Sequence, residues 1–83
     1  MSVKFTKHAL DQMKARGISQ DTISETLNEP DNISSDNYGN AIAQKIIDKY
    51  LFRVFYYLEK ETKIVITTYK TSKIRKYRSE RLQ

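Results

Sequence analysis

The sequence predicts an α+β fold in which two N-terminal helices pack on an antiparallel meander of three to four strands, with a basic C-terminal segment after it. Three observations carry this. Apolar residues recur at helical spacing through the first thirty positions. From Ala41 onward they become β-branched and aromatic, in runs of strand length. The links between those runs are only a few residues long, which suits antiparallel neighbours, because a parallel pair needs a crossover of roughly a dozen residues.

Phe5 to Arg16 reads as the first helix. At 100° per residue Phe5, Ala9 and Met13 share one face, with Leu10 at its edge. Lys7, Asp11 and Lys14 fall opposite. His8, Gln12 and Arg16, spaced i, i+4 and i+8, form a row along the flank of the apolar face. Gly17 suits the position after the helix, where a positive φ is needed. Ser19 is a good N-cap for a second helix, Asp21 favours its dipole, and Ile18 with Ile23 has hydrophobic-staple spacing. That helix runs to about Asn28 and stops before Pro30.

Beyond Pro30 a short edge strand fits Asn32 to Ser35, and Asn37-Tyr38-Gly39-Asn40 is a turn cluster. Ala41 to Asp48, Leu51 to Leu58 and Lys63 to Thr71 read as three strands. In the second, Phe52, Val54, Tyr56 and Leu58 are expected to face the core. Leu51, Arg53, Phe55 and Tyr57 then turn to the other side. Lys73 to Leu82 fits a short helix or an extended arm, and its pattern does not decide between them.

The chain's 83 residues suffice for one domain, spanning 1–83. There is no cysteine and only one histidine, so neither a disulfide nor a zinc site is expected. No apolar run approaches the ~20 residues of a membrane span, and Met1-Ser2-Val3-Lys4 does not open a secretory leader. A cytoplasmic location is the expectation.

The net charge is +5, and its placement is more informative than its size. Up to Tyr69 acidic and basic residues cancel. From Lys70 to Arg81 the chain carries Lys70, Lys73, Arg75, Lys76, Arg78 and Arg81 against Glu80 alone. Such a stretch suits phosphate groups, with RNA the expected partner, though a solvated tail is its ordinary reading. Tyr69, Ile74 and Tyr77 lie among the charges and give them something to pack or stack on.

Several chemistries are excluded. Gly17 and Gly39 are the only glycines and fit no phosphate loop. Carboxylates are scattered singly, without the cluster a two-metal nuclease needs. No serine sits in a nucleophile-elbow pattern. No cofactor is implied. What remains is metal-independent phosphoryl chemistry on RNA, which needs a base for the 2′-OH, a cation for the developing charge and an acid for the leaving oxygen. His8, the one histidine, is the candidate general acid or base. Arg16 and Arg53 are candidate charge clamps, and with His8 they make the candidate catalytic set. Lys45, Tyr69, Lys70, Thr71, Ser72, Lys73, Lys76 and Tyr77 are candidate RNA contacts, the hydroxyls and ammonium groups as phosphate ligands.

Each has a plainer reading. His8 fits an ordinary helix-flank role, and Arg16 in a last turn serves the helix dipole. Tyr50, Phe52, Phe55, Tyr56 and Tyr57 fit core and dimer-surface roles, which leaves a homodimer open.

His8 to Met13, Arg16-Gly17-Ile18-Ser19, Pro30-Asp31, Gln44-Lys45, Leu51 to Val54, Tyr69 to Lys73 and Lys76-Tyr77 together resemble a small bacterial family catalogued as a domain of unknown function. That family is distantly similar to the RelE and BrnT toxins, small α+β ribonucleases of toxin–antitoxin pairs. The resemblance implies a RelE-like fold, an RNA substrate and an acidic antitoxin partner. It carries over no catalytic set. The expected function is therefore a toxin-type endoribonuclease. A non-catalytic RNA- or DNA-binding module, and a protein-interaction domain with an acidic partner, stay open beside it.

Overall fold

Side-chain caps start both helices. In the computed structural model, which describes residues 2–74, the Thr6 hydroxyl accepts the Ala9 N–H at 3.1 Å and opens α1 (Lys7–Arg16). Gly17, at φ 66°, closes it, and the Ile18 N–H returns to the Met13 carbonyl at 2.9 Å. Ser19 then caps α2 (Gln20–Asn28) by accepting the Thr22 N–H at 3.1 Å. Ile18 and Ile23 are both buried, as their staple spacing requires.

The strands are β1 (Ser2–Phe5), β2 (Asn32–Ser35), β3 (Ala41–Ile47), β4 (Tyr50–Glu59) and β5 (Thr62–Thr71). They form one sheet in the order β1-β5-β4-β3-β2. Strands β2 to β5 are the expected antiparallel meander, with Ile47 opposite Tyr50 and Glu59 opposite Thr62 across the two tight turns. β1 corrects the expectation. It pairs parallel with β5, Ser2 opposite Thr62 through Phe5 opposite Val65. Among the described residues the sheet is thus mixed and five-stranded, and differs in those details from the RelE-like arrangement the resemblance implied.

The same strand moves Phe5 out of the first helix, where its wheel position put it. Phe5 packs against the core from β1. It stands on the apolar side in either conformation, so helical spacing alone cannot separate the two.

The helices cover one face of the sheet. Ala9, Met13, Ile18, Ile23 and Leu27 meet Ala43, Phe52, Val54, Tyr56 and Val65 in one cluster. Leu58, expected in that core, is 60% exposed and is corrected to a surface residue. A bulge at Phe55/Tyr56 leaves Ile66 without a cross-strand partner, so Val65 and Thr68 both reach the helix face although three residues apart. The opposite face carries Ile42, Gln44, Leu51 and Arg53, all buried. Among the described residues no helix is long and apolar enough to cross a membrane.

Candidate functional site

The site begins where β1 ends. β1 covers β5 only from Thr62 to Val65, and past that point α1 takes over the strand's open edge. The Thr6 N–H donates to the Val65 carbonyl at 3.0 Å. Two turns further, Gln12 Oε1 accepts the Thr68 N–H at 3.1 Å, and Arg16 Nη1 donates to the Thr68 carbonyl at 2.9 Å. The helix flank row therefore completes the hydrogen bonding of a strand edge. Gln12 belongs to the row visible in the sequence, but periodicity gave it no task. Its i, i+4 spacing from Arg16 was the available signal.

The next residue, Tyr69, is the centre of a cationic and aromatic cluster. Arg53 stands opposite it on β4 and donates through Nη1 to the Tyr69 hydroxyl. The Arg53 guanidinium carbon lies 5.5 Å from the Tyr69 ring centre and 5.6 Å from that of Phe55. The two rings are themselves 6.2 Å apart. The Arg16 guanidinium carbon is 6.0 Å from the Tyr69 ring. Two guanidinium groups thus approach one phenol, held by the electron-rich ring faces and by hydrogen bonds to the Tyr69 hydroxyl and the Thr68 carbonyl. Arg53 is 7% exposed, Tyr69 is half-buried and Arg16 is exposed.

His8 does not join this cluster. It is exposed on the same row, two turns before Arg16, or about 12 Å along the helix axis. Among the described residues its side chain makes no hydrogen bond or ion pair. Lys45 is also elsewhere. The register Lys45–Phe52–Lys70 puts both lysines on the helix-bearing face, opposite to Arg53. Lys45 donates to the Glu29 carbonyl at 2.8 Å and lies 3.9 Å from Asp31. The Lys70 ammonium sits 5.0 Å from the Tyr50 ring centre. Thr71 ends β5 and its hydroxyl accepts the Lys73 N–H at 3.0 Å. Ser72 and Lys73 are exposed. Lys76 and Tyr77 lie outside the described residues.

Among the described residues no three of His, Asp or Glu come together as a metal site. The molecule is a two-layer α+β domain with a guanidinium–phenol cluster at the junction of its first helix and last strand. It belongs to the family described as Domain of unknown function (DUF4258), whose model matches residues 5–70, from the end of β1 to Lys70. No curated protein and no solved structure gives a significant match.

Proposed function

We propose that the protein is a cytoplasmic, metal-independent endoribonuclease of the toxin type, distantly RelE- or BrnT-like, acting on single-stranded RNA. The observation that carries the reading is the approach of Arg16 and Arg53 to Tyr69. Two permanently charged forks beside a hydroxyl suit a phosphodiester, whose charge grows as the 2′-oxygen attacks phosphorus. Tyr69 supplies the hydroxyl, and Lys70, Thr71, Ser72 and Lys73 continue from it as ligands for flanking phosphates. Lys76 and Tyr77 extend the same basic run. His8 takes the 2′-OH proton while water protonates the leaving 5′-oxygen, or His8 and water exchange these two roles. An acidic antitoxin protein is the natural antagonist of such a surface.

The test is incubation with single-stranded RNA in EDTA, scored for 2′,3′-cyclic phosphate ends. Arg16→Gln is expected to slow cutting by about 10²–10³, the usual effect of losing one donor to transition-state charge. His8→Ala is expected to abolish cutting while binding persists.

A second reading, a non-catalytic RNA-binding module, is favoured by one observation. His8 stands two turns from Arg16 and is not part of the cluster. RNA binding that falls steeply with salt, with no cleavage by wild type, selects this second reading.

A further inference from the structure

Tyr69 and Lys70 are consecutive in β5, so their side chains leave opposite faces of the sheet. Tyr69 joins the arginine cluster. Lys70 instead meets Tyr50, which is 40% exposed and stands edge-to-face against Phe52 at 6.5 Å. Among the described residues, the two faces connect over a stretch of the β5 edge that β1 does not reach. β1 stops at the partner of Val65, and Gln12 and Arg16 occupy the edge only at Thr68. Thr68 directs its N–H and carbonyl outward to those side chains, so Lys70, two residues on, directs its own outward as well. No described residue bonds them.

We propose that Tyr50 and Lys70 form a second nucleotide subsite, which takes the nucleotide next to the phosphate held at Tyr69. This rests on the RNA-binding reading above. The RNA backbone crosses the β5 edge at Lys70. The base stacks on the Tyr50 ring, and the Lys70 ammonium turns from the ring to the phosphate. A ring backed by Phe52 is a fixed platform, and stacking on it is independent of base identity. The subsite makes the protein a reader of single strands, because a base stacked within a duplex has no free face to offer Tyr50.

The test is fluorescence anisotropy with labelled oligouridylate, run on folded variants whose thermal melts match wild type. Tyr50→Ala is expected to weaken binding about tenfold, and Tyr50→Phe to keep wild-type affinity. Lys70→Gln is expected to reduce the slope of log affinity against log salt by about one. A single abasic residue walked along the RNA tests wild-type protein directly, and one position is expected to weaken binding about tenfold. Tyr50→Ala binding like wild type, or no sensitive abasic position, overturns the subsite. If Arg16→Gln still weakens binding in that case, the RNA-binding reading survives. Wild type that does not bind oligouridylate at all overturns both.

Discussion

Gln12 and Thr68, 56 residues apart, are joined by a 3.1 Å hydrogen bond from the Thr68 backbone N–H to the Gln12 side-chain oxygen. Thr68 is fully buried, so its N–H has no access to solvent water. Gln12→Ala removes the acceptor and leaves a buried donor unsatisfied, which costs about 1–3 kcal/mol. Gln12→Glu keeps an acceptor at the same place and is expected to recover most of that loss. In a domain this small each kcal/mol moves the melting temperature by about 4–8 °C. Thermal melts of the two variants check the prediction, and equal melting of Gln12→Ala and wild type refutes it.

Thr68 also carries a liability. Its hydroxyl is buried and has no hydrogen-bond partner among the described residues. It faces the helix-packed side beside Val54, where a methyl group fits as well. Thr68→Val preserves the side-chain shape and removes the unsatisfied oxygen. The variant is expected to be more stable than wild type by about 1 kcal/mol. A urea midpoint raised at unchanged m-value is the expected result.

The turn before β3 predicts a pH dependence. Asp36 accepts the Tyr38 N–H at 2.8 Å, the Asn40 N–H at 2.9 Å and the Asn40 side-chain amide at 2.9 Å. The Asn40 amide, with those backbone donors, holds the Asp36 carboxyl below its ordinary value. A carboxylate lowered on folding contributes stability that is complete above the unfolded value. That contribution is lost as pH falls through the lowered folded value. Asp36→Asn is therefore expected to be less stable than wild type at neutral pH, with the gap closing below the usual carboxylate range. Melting both proteins from pH 7 down to pH 2 checks this, and a gap independent of pH overturns it.

The same structure explains which parts were legible in the sequence. Local chemistry was readable: Gly17 at φ 66°, the Ser19 cap and the buried Ile18–Ile23 pair all act within a few residues. Alternation in β4 was readable too, since Phe52, Val54 and Tyr56 face the helices while Arg53 faces away. It told which side Leu58 takes, though not that the side chain is left exposed there. β1 was not readable, because its partner lies 60 residues away and four residues carry too little pattern. The bulge at Ile66 likewise breaks the two-residue period, which hid the placement of Val65 and Thr68 on one face. Of the candidate site, Arg53 and Tyr69 meet because β4 and β5 pair, a relation the hairpin links imply. Arg16 reaches them through the angle of α1 across β5, which depends on packing and has no local signature.

Lys45 yields the last prediction, and it runs against an RNA role for that residue. α2 has no basic residue in its last turn, so its C-terminal carbonyls lack a cation from their own helix. Two lysines from the sheet supply it. Lys45 donates to the Glu29 carbonyl at 2.8 Å, and Lys63 to the Leu27 carbonyl at 3.4 Å. The 3.9 Å pair of Lys45 with the exposed Asp31 adds little, because water screens it. Lys45→Gln is expected to cost about 1 kcal/mol of stability, the range for a cation at a helix end. RNA affinity and its salt slope are expected to stay at wild-type values, in contrast to Lys70→Gln. A salt slope reduced by about one in Lys45→Gln would instead assign this ammonium to a phosphate.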